Sequence, residues 1–184
     1  MDAQAVDFVA ELAVIVAKSR CGTQKSTFPV VETVHKDSIC HTVVTPPAAD
    51  RSICQDAERL AMLAIDTLQG AGVFAVEMFQ LRDGSLLVNE VAPRPHNSGH
   101  LTIEACYVSQ FEQHIRAVTG LPLGCPDLKV PAAAMLNILG TEGGLEEAQL
   151  LLERALNTPG ASVHWYSKGE VTEERKEENE RGYI

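Results

Sequence analysis

Two glutamates, Glu77 and Glu90, are the side chains of this sequence best placed to do chemistry. They lie in the run VFAVEMFQLRDGSLLVNEV. Its centre, Asp83-Gly84, has the composition of a two-residue hairpin turn, because glycine accepts positive φ without a Cβ clash. Such a turn sets Arg82 opposite Ser85 and, carried back along both strands, Glu77 opposite Glu90. Directly opposed residues have Cβ atoms about 4.5–5.5 Å apart, and like charges there destabilise a sheet. The same register gives the pair Ala75, Phe79, Leu81, Leu86 and Val88 as neighbours, so water screens it poorly. Two carboxylates in that setting need a cation, a shared proton or a nearby Lys or Arg. Magnesium, held by both carboxylates and by substrate phosphates, meets the need. A solvated strand-end pair bridged to a surface base is the alternative, and a one-residue slip of register would remove the argument.

Beyond Glu90 the chain reads Ala92-Pro93-Arg94-Pro95-His96-Asn97-Ser98-Gly99-His100. The two prolines fix an irregular backbone and deny a helix. Arg94 offers a fork for a phosphate or bicarbonate-like anion. His96, Asn97, Ser98 and His100 add donors and acceptors within a few residues. The two histidines have a metal-like spacing, but a zinc pair at that spacing needs a helix and further ligands. The readings left open are a polar ligand loop and an ordinary structural loop. Glu11, at the start of an apolar run, reads equally as a solvated strand end, and His35 as a surface histidine beside a turn.

These residues need a sheet to position them. Glu11 to Lys18 is apolar on both faces and β-branched, which predicts a buried central strand. Cys21 to Ser26 has turn composition. Phe28 to Val34 and Ser38 to Thr45 read as strands around a turn at Lys36-Asp37, a register that opposes Glu32 and His41. Ser52 is placed to cap a helix to Leu68, with Ile53, Ala57, Leu60, Ala61, Ala64, Ile65 and Leu68 on one stripe. Strands over Val73–Leu81 and Ser85–Val91 follow. Ser109 caps a helix to Val118 that Gly120 closes. Ala132–Leu139 reads as a strand, Leu145–Leu156 as a helix, and Ser162–Tyr166 as a short strand. From Gly169 onward six glutamates and few apolar side chains predict a solvated tail.

The chain has 184 residues, 45% hydrophobic and 22% charged, with a net charge of -10. That charge argues against a nucleic-acid backbone binder. No apolar run is long enough for a membrane span, and Met1 to Ala10 lacks the pattern of a signal peptide. Five scattered cysteines without metal-like spacing fit reduced thiols in a reducing compartment.

The run GAGVFAVEMFQLRDGSLLVNEVAPRPHNSGHLTIEACYVSQFEQHIRAVTGLPLG resembles the ATP-grasp domain of 5-(carboxyamino)imidazole ribonucleotide synthetase, the ATP-dependent component of phosphoribosylaminoimidazole carboxylase. ELAVIVAK and FPVVETVHKDSICH upstream, and KVPAAAMLNILG and PGASVHWYSK downstream, fit as well, so the resemblance covers about residues 8–168. NEVAPRPHNSGH is its most specific part, and the wording is that of the eukaryotic type. The resemblance implies an α+β ATP-grasp half-domain, mostly antiparallel sheet with helices packed on one side, over residues 1–124. It implies the start of a small β-rich closing domain over 125–168, with 169–184 an acidic tail.

It further implies ATP- and bicarbonate-dependent carboxylation of aminoimidazole ribonucleotide in purine biosynthesis, through carboxyphosphate. Glu77 and Glu90 match magnesium (or manganese) ligands. Glu11, His35, Asn89 and Glu90 match nucleotide contacts. Arg94 falls where the bicarbonate-derived intermediate is expected and is assigned a catalytic role. His96, Asn97, Ser98 and His100 are assigned to the ribonucleotide. In a regular strand Asn89 points away from Glu90, so either a backbone contact or a bulge is required there. The family's ribonucleotide-binding domain and lysine-bearing lid have no counterpart before Glu11. The expectation is therefore a truncated chain, inactive alone, from a homo-oligomeric cytoplasmic parent, or a plastid one in a plant or alga. A non-catalytic interaction module and another ATP-grasp carboxylase or ligase are the competing readings.

Overall fold

The computed structural model describes residues 6–36, 39–138 and 144–165. The chain divides into two compact units, Met1–Met135 and Leu136–Ile184. In the first, strands β1 (Phe8–Lys18), β2 (Lys25–Thr27), β3 (Val31–Lys36), β4 (Ile39–Thr45), β5 (Gly72–Leu81), β6 (Leu86–Ala92) and β7 (Ala133–Leu136) form one sheet. Its order is β6-β5-β1-β3-β4-β7, with β2 paired to β1. β1 runs antiparallel to β2, β3 and β5. Helices α1 (Arg51–Asp66), α2 (Thr102–Ala105) and α3 (Gln110–Thr119) complete this unit. The second unit holds α4 (Gly144–Leu156).

β1 is central because both of its faces are covered: Leu12 to Ala17 are essentially solvent-free. Its even positions, Leu12, Val14 and Val16, pack with Ala57, Ala61 and Ile65 of α1. Its odd positions, Ala13, Ile15 and Ala17, pack with Leu101, Ala105 and Cys106 from the α2 segment. Helices therefore lie on both faces, not on the single side expected from sequence, because β1 alternates two apolar sets that each need a cover.

Several local expectations change. The segment read as a turn over Cys21–Ser26 runs into β2 at Lys25. The expected strand from Phe28 begins only at Val31. Pro29 has no N–H to donate, so the ladder along β1 breaks there and divides what would be one strand into β2 and β3. β3 and β4 pair Lys36 with Ile39 and His35 with Cys40, then shift so that Glu32 faces Val44. His41 is thus not opposite Glu32, whose carboxylate instead accepts from the Ala48 amide at 2.9 Å.

α1 begins one residue before Ser52, with Asp50 at its N-cap position and no side-chain cap bond. α3 fits its expected caps: the Ser109 side chain accepts from Glu112 N, and Gly120 closes the helix at φ 79. Residues 162–165 are not in a strand, since no strand among the described residues pairs with them. Tyr166 and the acidic tail lie outside the described residues, as does Asp37 of the β3–β4 turn.

The core supports a direct contrast. Leu12→Ala empties a fully buried site on the α1 face and should cost about 2–5 kcal/mol. Leu63→Ala, on the exposed side of α1, should stay within about 0.5 kcal/mol. Urea unfolding of both variants decides it; equal losses would place the core elsewhere.

Candidate active site

Four adjacent strands, β6, β5, β1 and β3, each contribute one ionisable residue to the same sheet face. These are Glu90, Glu77, Glu11 and His35. Pairing fixes the row: Glu90 lies opposite Glu77, Glu77 opposite Ala13, and Glu11 opposite both Phe79 and Thr33. On β1, Glu11 shares its face with Ala13, Ile15 and Ala17, the face covered by the α2 segment.

The opposition of Glu77 and Glu90 is present, but two departures from the regular hairpin produce it. Leu81 N donates to Ser85 O and Gly84 N to Leu81 O, so the loop is Arg82-Asp83-Gly84, with Gly84 at φ 84. That is one residue longer than the expected turn, and it pairs Gln80 with Leu86 and Met78 with Val88. The register then shifts, Glu77 meeting Glu90, which leaves Asn89 as the extra residue of a β-bulge. Leu86 and Val88 consequently pack toward α1 and not beside the acidic pair. The bulge also releases Asn89 from strict alternation with Glu90.

Electrostatics mark Glu77 as the unusual member. Its side chain is only 12% exposed, and Oε1 is buried without a hydrogen-bond partner. His96 Nδ1 lies 3.4 Å from that oxygen. Burial raises the Glu77 pKa most; His35 opposes the rise, Glu90 and Glu11 add to it, and Arg94 opposes it. His96, 13% exposed, is pushed down from 6.5 to about 4 by burial first, then by the charges of Arg94 and His35. It is therefore a neutral imidazole at physiological pH. His35 Nδ1 pairs with the Glu11 carboxylate, each side chain 21% exposed. Cys40 reports the same negative field: burial, then Glu77 and Glu11, push its thiol up to about 12.

One ligand atom each from Glu77, Glu90 and His96 lie within 4.8 Å of one another. Two carboxylates, one with a bare buried oxygen, suit a hard divalent cation that takes its remaining ligands from phosphate or water. The neutral imidazole beside them adds a nitrogen that softer metals prefer. The residues present therefore fit the expected metal.

The loop after β6 is ordered by side chains that sequence did not single out. Pro93 sits inside a tight turn closed by Arg94 N and Ala92 O at 2.9 Å. Arg94 is exposed and donates to Pro95 O. Residues Asn97–Gly99 form one 3-10 turn. Ser98 is fully buried, its hydroxyl 3.0 Å from His96 Nδ1, so it orients that ring. Asn97 O accepts from His100 N at 3.1 Å. Gln110 of α3, also fully buried, bonds both backbone groups of His96. Its backbone N–H in turn donates to Thr102 Oγ1, whose hydroxyl donates to Gly99 O. The structure thus brings Glu11, His35, Glu77, Glu90 and His96 onto one face, with Arg94 near enough to act on Glu77 and His96 by charge. Gln110, Thr102 and Cys40 were not found by sequence. The available signal for Gln110 was its position directly after the Ser109 cap, which says nothing of a partner 14 residues upstream.

Two measurements follow. A Cβ on Gly99 would stand 2.4 Å from Gln110 Oε1. Gly99→Ala should therefore cost about 1–3 kcal/mol and dislodge the loop, checked by melting and by amide exchange at His96; an unchanged loop would refute the clamp. In metal-free buffer the unfolded chain binds more protons at His96 than the folded one between pH 4 and 6.5. That contribution rises with pH, on the order of 3 kcal/mol across the window. The raised Glu77 pKa acts oppositely, its contribution falling as pH climbs above 4.5. His96→Asn should thus flatten the rise and Glu77→Gln steepen it, read from Tm against pH; parallel profiles would contradict both assignments.

Residues 3–111 match the ATP-grasp domain model, and residues 133–176 match the phosphoribosylaminoimidazole carboxylase C-terminal domain. The chain is 53% identical to the chloroplastic phosphoribosylaminoimidazole carboxylase of Vigna aconitifolia, over 92% of this chain and 30% of that protein. It is 47% identical to the N5-carboxyaminoimidazole ribonucleotide synthase of Bacillus subtilis, over 93% and 43%. Among solved structures, the N5-carboxyaminoimidazole synthase of Aspergillus clavatus in complex with ADP and 5-aminoimidazole ribonucleotide superposes with a TM-score of 0.85 at 42% identity, over 91% of this chain and 44% of that one. The same fungus's synthase complexed with ATP gives 0.86 at 40% identity, over 97% and 46%. The chain spans less than half the length of each of these relatives, all of them enzymes by name. With its acidic face on an antiparallel sheet and its match over more than half of the sequence, the chain belongs to the ATP-grasp family.

Proposed function

We propose that this chain carries the metal-facing lobe of an ATP-dependent carboxylase that acts on aminoimidazole ribonucleotide in purine biosynthesis. The observation that carries the reading is the buried, unpartnered Oε1 of Glu77 set against Glu90 and neutral His96. A carboxylate left bare in that position is a ligand awaiting a cation.

In this reading Glu77 and Glu90 hold a divalent ion, magnesium or manganese, which supplies charge neutralisation to the phosphates of ATP. Glu11, His35 and Asn89 contact the nucleotide, with the Glu11 carboxylate fixing the orientation of His35. The terminal phosphoryl group of ATP passes to a bicarbonate oxygen, the bond to ADP breaks, and carboxyphosphate forms. The exocyclic amine of the ribonucleotide then attacks the carboxyl carbon and gives up a proton, and phosphate leaves. Arg94, exposed at the loop mouth, is placed for the anionic carboxyl species. His96, Asn97, Ser98 and His100 form the loop against the ribonucleotide, with Ser98 acting through His96 (its hydroxyl is turned inward). Residues 1–124 supply the lobe and 125–168 the start of the closing domain. A reducing compartment, cytoplasm or plastid, suits five cysteines that form no disulfide, and the parent is a homo-oligomer.

The chain spans less than half the length of the relatives it matches. The 184-residue chain alone should therefore bind nucleotide weakly and release no phosphate. Joined to the amino-terminal part of the Aspergillus clavatus synthase, it should release phosphate from ATP only when bicarbonate and aminoimidazole ribonucleotide are both present. Glu77→Gln in that chimera should cut the rate at least about 100-fold, the scale of losing a transition-state charge contact. An undiminished rate would sink the metal assignment, and release without the ribonucleotide would sink the substrate.

A further inference from the structure

We propose that Gln110 is the positioning residue of the 93–100 loop, holding the backbone at His96 and fixing His100 as the neutral tautomer protonated on Nε2. The amide of Gln110 makes three contacts. Oε1 accepts from His96 N at 2.9 Å, Nε2 donates to His96 O at 2.8 Å, and Nε2 lies 3.0 Å from His100 Nδ1.

The two backbone bonds decide which end of the amide is oxygen. Reversed, the amide would set its NH2 against the His96 N–H and its oxygen against the His96 carbonyl, losing both bonds. With Nε2 fixed, one of its hydrogens serves His96 O and the other is aimed at His100 Nδ1. An amide nitrogen has no lone pair to accept with, so Nδ1 must be the acceptor and the ring proton resides on Nε2. An imidazolium would set N–H against N–H in a half-buried contact. The ring plane is held independently by Phe111, stacked at 5.6 Å between centroids and 18° between planes. The close approach of the amide depends on Gly99, where any Cβ would collide with it.

The chemical consequence concerns how the loop reads a ligand. His100 is a directional hydrogen-bond donor through Nε2 and carries no charge, so it suits a single oxygen acceptor and leaves anion neutralisation to Arg94. That the acceptor belongs to the ribonucleotide rests on the proposed function; the tautomer does not.

The test uses the 184-residue chain labelled with 15N-histidine, with His100 assigned by comparison with His100→Gln. Long-range proton–nitrogen spectra at neutral pH should show His100 with Nε2 protonated and Nδ1 bare. Gln110→Glu keeps the shape but offers Nδ1 an acceptor in place of a donor. His100 should then become protonated at Nδ1, a change that mere loosening of the loop would not produce. A wild-type ring protonated at Nδ1 would overturn the proposal, and that spectrum decides even where the variant fails to fold. A folded Gln110→Glu chain with an unchanged ring would overturn it too. In the chimera Gln110→Glu should raise KM for the ribonucleotide while KM for ATP holds. An unchanged ribonucleotide KM beside the expected tautomer would reject the ribonucleotide as partner and leave the lock standing.

Discussion

One constraint governs the acidic face: a carboxylate oxygen on Glu77 is out of water and receives no hydrogen bond. A buried unsatisfied group of this kind works against folding. The fold tolerates it by moving the surrounding charges toward neutrality. The Glu77 pKa is raised and the His96 ring is held uncharged, each mainly by burial. A divalent cation would reverse this local logic, drawing both carboxylates to their ionised forms. The two carboxylates and the bare buried oxygen fit such a cation.

The sheet places the acids, but α3 places the loop that faces them. α3 is unusual in that its buried positions are Gln110, Gln113 and Ala117, while Phe111, Ile115 and Val118 are exposed. Gln113 bonds Gly124 through both ends of its amide, as Gln110 does His96. His114 accepts from Val73 N at the start of β5. Three polar side chains of one helix thereby fasten three separate backbone segments. Buried polar groups that are fully satisfied specify a unique arrangement better than apolar contacts do, because a slipped arrangement would leave each of them unpaired.

This explains what the sequence could and could not disclose. β1, α1 and the β5–β6 hairpin were legible because apolar periodicity and glycine turns are local signals. The Glu77–Glu90 opposition was legible too, although a longer loop and a bulge produce it where a tight turn was expected. The role of Pro29 in dividing β2 from β3 was available but outweighed by the β-branched run around it. Gln110 was illegible in principle. A glutamine one residue into a helix reads as surface, and the apolar Phe111, Ile115 and Val118 of that helix are the exposed ones. The chemistry of the loop came from its resemblance to a family and from its composition, while its geometry came from a helix that begins ten residues beyond His100.

The bulge at Asn89 then has a specific meaning. Below it, Met78 pairs with Val88, and Val88 packs toward α1. Alternation alone would send the next residue to the opposite face, directly across from Glu77. Had Glu90 followed Val88 immediately, both the pairing and the face of Glu90 would be those observed. With Asn89 in the sequence, the bulge is what returns Glu90 to that place, since without it Asn89 would stand opposite Glu77. β6 is the terminal strand of the sheet order, where an unpaired residue costs least and also spoils the edge for pairing with another chain. What the insertion adds is one amide side chain beside Glu90, at the position the family resemblance gives to the nucleotide. The sheet supplies Glu77 by alternation, and the bulge supplies the partner that alternation would have turned away.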